Sequence, residues 1–482
     1  MKTICNYING KLVKPKKSEY INVFNPSIGK VYAKCPESST LDLKSAVSSA
    51  SKAFNSWKEL ATEQRSNILF KIADEIEKRK DEFALAETID NGKSLNDSKN
   101  IDIPRAINNL RFYASAVINS SSESHSLPNN VINYTLRDPL GVVACISPWN
   151  YPLHLLTWKI APALAIGNCV IAKPSEVTPM TAHLFSKACI NAGLPKGVLN
   201  ILHGSGHIVG QKIVEHPDIK AISFTGGTKT GKIISSTASS LLKKVSLELG
   251  GKNPIIVFDD CNYQEMLKTT IRSSFGNQGQ ICLCGERIFI QESIYNKFKK
   301  DFIKEAKKLK IGDPLKSTTN QGAIVSKQHY DKILSYFEGV KDSGAKFILG
   351  GSARKLAGNC SNGWFIEPSI IEGLNRKSNC YKEEAFGPVT SLHKFKTRDE
   401  AIRLANETSY GLSASIWTSD LNTAHNVARM IDFGIVWVND WNLRDLRTPF
   451  GGMKDSGLGR EGGNESIRFF SETKNVCINY NK

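Results

Sequence analysis

Apolar and polar residues alternate along this chain with two different periods. From Leu41 to Trp57, from Thr62 to Lys78 and from Lys80 to Ile89, apolar residues recur at spacings of three and four. That repeat gathers them on one face of an α-helix and predicts three helices. From Gly141 the pattern changes to short apolar runs, GVVACISPW, CVIAKP, LNILHG, AISFTGG and PIIVFDD. Helical segments of roughly ten to fifteen residues separate them. Runs this short and continuous predict strands buried on both faces, and buried strands alternating with helices predict a doubly wound parallel sheet. In such a sheet ligands bind beyond the carboxyl ends of the strands, so the residues that close these runs are where chemistry is expected. A second α/β unit is expected from about Lys252 to Phe450. The last strand is expected at Asn475 to Asn479, beyond a helical turn at Glu465 to Ser471. It has no local partner and is expected to pair across a subunit interface.

The chain has 482 residues, too many for one hydrophobic core, and its 40% apolar and 23% charged content is that of an ordinary soluble protein. No internal repeat or low-complexity linker divides it; the serine-rich stretch Ser120 to Ser126 is short. The most membrane-like stretch, His154 to Ala172, is interrupted by Lys159, Pro162, Gly167 and Asn168, and reads as a helix followed by a buried strand. No signal peptide or lipidation motif is recognised, so a cytosolic location is expected. Eleven cysteines at irregular spacing fit neither a disulfide framework nor a zinc pattern, and reduced thiols are expected. The formal net charge of +17 is spread over helix faces such as Asp301 to Lys310, which argues against a nucleic-acid surface. The same charge favours an anionic small substrate by electrostatic steering.

Two segments carry a nucleophile and a base: LELGGKNP at Leu247 to Pro254, and FGNQGQICLCGER at Phe275 to Arg287. A cysteine reached through Gly276 and Gly279 can approach a substrate closely, since glycine permits tight backbone geometry. Most of the eleven cysteines, among them Cys145, Cys169 and Cys189, read as small buried hydrophobes. Cys282 does not, and Glu248, closing a run before two glycines, is a plausible base for its thiol. Cys284 lacks histidine or acidic partners at ligand spacing, so no metal is expected.

These segments closely resemble the aldehyde dehydrogenase superfamily. The resemblance extends through ISPWNYP at Ile146, KPSEVTP at Lys173, FTGGTKTG at Phe224, EEAFGPV at Glu383 and PFGGMKDSGLGREGG at Pro449, covering nearly the whole chain. The motifs follow the family's order, and the interval from Glu248 to Cys282 is the family's spacing. The resemblance implies an α/β fold: a Rossmann-like NAD-binding domain from residues 1–122 and 142–252, an α/β catalytic domain from 253–455, and a small β oligomerisation extension from 123–141 and 456–482. It implies that Cys282 attacks an aldehyde carbonyl and that Asn150 with the Cys282 backbone N–H stabilises the oxyanion. A thioester follows, which Glu248 hydrolyses by activating water. Asn150 also reads as a turn residue before Tyr151 and Pro152; the family context favours the first role.

The resemblance also implies an NAD site. HGSGHIVG reads GxGxxxG rather than the Rossmann fingerprint; Gly206 and Gly210 would form the adenine-side turn and helix. Phe224, Gly226, Gly227 and Gly231 would lie near the pyrophosphate. Lys173, Ser175 and Glu176 would hold the adenosine ribose, where a carboxylate repels a 2′-phosphate and favours NAD over NADP. Ile146, Ser147, Trp149 and Leu249 complete the site, and Glu384 and Phe386 would hold the nicotinamide ribose and ring. Within the superfamily the chain is most similar to the 2-hydroxymuconic and 2-aminomuconic semialdehyde dehydrogenase branch, whose aldehydes carry a distal carboxylate. Guanidinium groups suit such a carboxylate, so Arg447 first, then Arg105, with Arg444, Trp158 and Phe450, are expected to bind substrate. The plain alternative for each arginine is a surface cation. A betaine aldehyde dehydrogenase, with an aromatic box from Trp158, Trp441 and Tyr151, is the competing reading, as is a broad-range aldehyde dehydrogenase. A silent crystallin-like scaffold is a remote one. A homodimer or homotetramer is expected, without nucleic-acid or membrane partners.

Overall fold

The computed structural model describes residues 1–480. The three periodic segments form helices at Thr40–Lys58, Thr62–Lys78 and Lys80–Asn91. In the first, Leu43, Ala46, Val47, Ala50 and Trp57 face inward, and Asp42 accepts a hydrogen bond from the Ser39 N–H at the helix start (2.8 Å). The third runs past Ile89 because Gly92 terminates it with φ of 88°, a left-handed turn that costs glycine nothing.

Four of the five apolar runs enter the parallel centre of an eight-stranded sheet; PIIVFDD instead supplies Asn253–Val257 to a second sheet, and Lys244–Glu248 takes the fifth central place in the first. The strands of the first, in spatial order, are Gly457–Leu458, Lys244–Glu248, Ile219–Thr225, Val142–Ile146, Cys169–Lys173, Leu199–Ile201, Asn6–Ile8 and Lys11–Val13. The five central strands are mutually parallel, and the outer ones pair antiparallel. Every residue of Val142–Ile146 and Cys169–Lys173 is buried, as strands with helices on both faces must be. Helix Pro152–Ala165, the membrane-like stretch of the sequence, is apolar all round because it is packed inside this core. Among the described residues no helix is long and apolar enough to cross a membrane.

A seven-stranded sheet follows, Lys346–Leu349, Ser369–Glu372, Val389–Phe395, Gly285–Gln291, Asn253–Val257, Ser413–Trp417 and Ile435–Val438, parallel except at Lys346–Leu349. A smaller antiparallel sheet joins Ser471–Asn479 to Val131–Pro139 and Ser124–Leu127. Here two expectations change. The terminal strand begins earlier than expected and has a partner in its own chain, nine residues long, which no local pattern announced. Residues 456–470 do not belong to this small sheet: Gly457–Leu458 joins the first sheet, and Ile467 and Phe470 enter its core.

Candidate active site

The chain from Phe275 to Cys284 makes a tight irregular loop between helix Tyr263–Phe275 and strand Gly285–Gln291. Gly279 has φ of 69°, and a Cβ there would lie 1.9 Å from the Gly387 carbonyl oxygen, so only glycine lets this loop press against the 384–387 turn. Asn253 Nδ2 donates to the carbonyls of Cys282 (2.7 Å) and Cys284 (2.9 Å), fastening the loop to a central strand. The Cys282 side chain is half-buried and lines a cavity of about 430 Å³. Cys284 is buried in an apolar cluster with Leu283 and Trp441.

Burial pushes the Cys282 thiol up to about 12; the Glu384 and Glu248 charges add to this, and Arg444 opposes it. The thiol therefore rests neutral and must surrender its proton to a base as it attacks. Glu248 ends its strand within electrostatic reach. It is buried, neither carboxyl oxygen has a protein partner, and its pKa is raised well above the ordinary value by burial and then by Glu461. Glu461 in turn accepts hydrogen bonds from Lys159 Nζ (2.6 Å) and Ser223 Oγ (2.9 Å). Asn150 follows the strand Val142–Ile146. Its Nδ2 spends one N–H on the Gln280 backbone carbonyl (3.1 Å), and its own backbone carbonyl accepts from Lys93 Nζ (2.8 Å) and Asn277 Nδ2 (3.1 Å). An amide nitrogen carries two N–H groups, so one remains for a developing oxyanion.

Of the expected cofactor residues, Trp149, Gly226, Gly227, Leu249, Glu384 and Phe386 line the same cavity as Cys282 and Asn150. The others lie around it. Lys173 and Glu176 form an ion pair (2.9 Å); burial opposes ionisation of Glu176, but the Lys173 charge and hydrogen bonds outweigh it and hold the carboxyl below its ordinary range. Gly210 faces the Lys173 side chain, and Gly231 packs on Leu249, which a Cβ would meet at 2.4 Å. Ile146 and Phe224 are buried, Ser147 N donates to the Lys173 carbonyl (3.1 Å), and Ser175 Oγ accepts from Val177 N (3.2 Å). The cavity suits a dinucleotide on two counts. A Cβ on Gly206 or Gly227 would meet no atom of the protein, leaving open space before both turns, and the buried Ser147, Thr225 and Thr228 hydroxyls have no protein partner.

The three arginines separate. Arg447 is 80% exposed and forms a bidentate ion pair with Asp445 (2.7 Å), so the structure does not bring it to a cavity; its charge is already matched in solvent. Arg444 lines a cavity of about 540 Å³ with Trp158 and Phe450. Its guanidinium donates to His154 Nε2 (2.6 Å) and lies 4.2 Å over the Trp158 ring and 5.5 Å from Phe450. Burial, then the neighbouring Arg105 charge, lowers it to about 10. Arg105, early in helix Ile103–Ile118, lines an adjoining cavity of about 200 Å³ with Tyr151 and Trp441.

Several residues at the site escaped the sequence reading. Lys159 was visible only as a charge in an apolar run, and Glu461 only as part of a glycine-rich motif. Ser326, Gln328, His329 and Lys332 line the Cys282 cavity from the start of helix Lys327–Asp342, whose sequence carries no motif. His329 Nε2 lies 2.7 Å from the Phe386 carbonyl, and its ring packs on Trp149; nothing local could have announced these contacts.

The sequence profile of the aldehyde dehydrogenase family matches residues 12–476. The 2-aminomuconic semialdehyde dehydrogenase of Mus musculus is 45% identical over 478 residues, covering 98% of each chain. The 2-hydroxymuconic semialdehyde dehydrogenase of a Pseudomonas strain is 41% identical, covering 99% of this chain and 100% of that one. The crystal structure of betaine aldehyde dehydrogenase from Staphylococcus aureus in complex with NAD+ superposes with a TM-score of 0.96 at 35% identity, covering 99% of this chain and 95% of that one.

Proposed function

Because this chain belongs to the aldehyde dehydrogenase family and is an oxidoreductase of aldehydes, we propose that its own substrate is a semialdehyde with a distal carboxylate, of the 2-aminomuconic or 2-hydroxymuconic type. The observation that carries this reading is Arg444, a half-buried guanidinium without a carboxylate partner among the described residues, electrostatically coupled to both Cys282 and Arg105. A substrate carboxylate supplies what that group lacks. The betaine reading needs open aromatic faces, yet Lys93 Nζ lies 4.1 Å over the Tyr151 ring, Arg444 covers Trp158, and Arg272 lies 5.7 Å from Trp441. A second cation brought to faces already so occupied is repelled. Following NADH absorbance with muconic semialdehydes, neutral aldehydes of similar length and betaine aldehyde tests the proposal. Preference for betaine aldehyde would overturn it, and no turnover with any of them would favour a silent scaffold.

In the proposed reaction Cys282 Sγ attacks the aldehyde carbonyl, its proton passing to a base, and the oxyanion is held by Asn150 Nδ2 and the Cys282 backbone N–H. NAD, when bound among the cavity residues named above, supplies the hydride acceptor that the protein's own side chains lack, which converts the thiohemiacetal to a thioester. Glu248 then takes a proton from water as it adds to the thioester carbonyl, the C–S bond breaks, and the acid leaves with Cys282 regenerated. Its raised pKa sets the pH dependence: deacylation needs the carboxylate, whose fraction grows about tenfold per pH unit below the pKa, so kcat should rise with pH until the pH passes that raised pKa. Glu248→Gln should flatten that rise and slow deacylation by about 10²- to 10⁴-fold. Mass spectrometry after mixing with NAD and aldehyde should then find an acyl adduct on Cys282; unmodified enzyme counts against the role.

NAD rather than NADP is proposed from the anionic state of Glu176 beside Lys173. Glu176→Gln should raise the ratio of kcat/KM for NADP over NAD by about tenfold or more, the scale of one screened charge repulsion. An unchanged ratio means that Glu176 does not face the ribose. A cytosolic homodimer or homotetramer is part of the same proposal, supported by the exposed apolar Leu127, Leu136 and Ile478 of the small sheet.

A further inference from the structure

We propose that Glu286 is a positioning residue for the nicotinamide end of the cofactor, holding the 384–387 turn in its binding conformation from behind. Glu286 is the second residue of strand Gly285–Gln291, four positions beyond Cys282, and is 4% exposed. Its two carboxylate oxygens are divided between consecutive backbone groups: Oε2 accepts from Ala385 N (3.0 Å) and Oε1 from Phe386 N (3.0 Å). Oε2 also accepts from Lys252 Nζ (2.5 Å), which donates as well to Tyr336 OH (3.2 Å).

The turn needs such an anchor. Phe386 has φ of 56°, a left-handed conformation that a bulky aromatic residue adopts only when its surroundings impose it. The anchor from below is Glu286, and from above His329 meets the Phe386 carbonyl. Glu384, next door, accepts from Gly251 N (2.9 Å), and Gly251 precedes Lys252. Base strand, cysteine segment and cofactor turn are thus joined in one closed polar ring in which Glu286 accepts from two successive residues of the turn. Two parallel N–H donors demand two acceptor oxygens, which a carboxylate has and an amide lacks. Glu286→Gln keeps the shape but turns an NH₂ toward one of the two N–H groups, freeing the turn without opening a cavity.

The inference rests on Glu384 and Phe386 facing the nicotinamide half of NAD, and the test separates the two ideas. Calorimetric affinities for NAD and for ADP, which carries only the adenine half, are measured on wild type, Glu286→Gln and Glu286→Asp. Wild type should bind NAD more tightly than ADP; equal affinities would overturn the placement of the turn itself. In Glu286→Gln the affinity for NAD should fall by about tenfold and single-turnover NADH formation by roughly 100-fold, the scale of a small misplacement at a reacting centre, while ADP affinity stays within about twofold. Glu286→Asp, which keeps both oxygens, should recover part of the preference for NAD. Parallel weakening of NAD and ADP, or an unchanged ratio of the two, would overturn the positioning role. If Glu286→Gln fails to fold, the same ratio in Glu286→Asp, expected between wild type and unity, decides it.

Discussion

Cys282→Ala should leave no measurable aldehyde oxidation, a loss of at least about 10⁴-fold, while NAD binding survives. The thiol is the atom that forms and breaks the covalent bond, and no other side chain is placed to substitute for it. Cys284, two residues on, is buried among Leu283 and Trp441 and does not line the cavity that Cys282 lines. Cys284→Ala removes one sulfur from that cluster, so a stability loss of about 1 kcal/mol is expected, with turnover within a few-fold of wild type. The cofactor contacts proposed for Trp149, Gly226, Gly227 and Glu384 do not involve the sulfur, and calorimetry should give nearly the same affinity for NAD in both variants. Residual turnover above a few per cent in Cys282→Ala would sink the nucleophile assignment, and a Cys284→Ala enzyme as dead as Cys282→Ala would show that the loop rather than the sulfur had been lost.

Arg444→Ala should cost about 2 to 5 kcal/mol of binding for a semialdehyde with a distal carboxylate, which is roughly 30- to several-thousandfold in kcat/KM. A neutral aldehyde of the same length should lose only a few-fold. The asymmetry follows from surroundings: Arg444 is half-buried against His154, Trp158 and Phe450, so a carboxylate that meets it sheds part of its water and is left poorly paired if the guanidinium is gone. Arg444→Lys keeps the charge but loses the planar fork, and should fall between. Arg447→Ala, by contrast, breaks an exposed ion pair with Asp445, a kind of contact worth at most about 1 kcal/mol, and should change neither substrate's kinetics appreciably. Equal losses on acidic and neutral aldehydes in Arg444→Ala would assign the arginine to packing rather than to the substrate.

The two arginines show where local reading stops. In VNDWNLRDLRTPFGG, Arg444 and Arg447 are three residues apart and chemically identical, and the resemblance to the semialdehyde branch favoured Arg447. The Asp445 carboxylate captures Arg447 on the surface, while His154, on a helix nearly three hundred residues earlier, captures Arg444 inside. Neither partner can be ranked from the segment itself. The terminal strand has the same history: a strand at Asn475 to Asn479 was legible, its partner Val131–Pro139 was not.

By itself the sequence determined the kind and order of the elements and the segments that carry chemistry. Helical and strand periodicity are properties of neighbouring residues, and Gly92 and Gly279 mark their turns through local backbone freedom. Cys282 in its glycine-rich segment and Glu248 closing a run before two glycines were nameable for the same reason, whereas the role of Asn150 came from the family resemblance. Only the tertiary structure decided what surrounds them. Lys159 reaches Glu461, Lys93 reaches Asn150, Lys252 and Glu286 grip the turn at Phe386, and His329 arrives from a helix without a motif. Charge state, orientation and substrate choice depend on burial and on which distant group comes within a few ångströms, and those are consequences of packing the sheets and helices together.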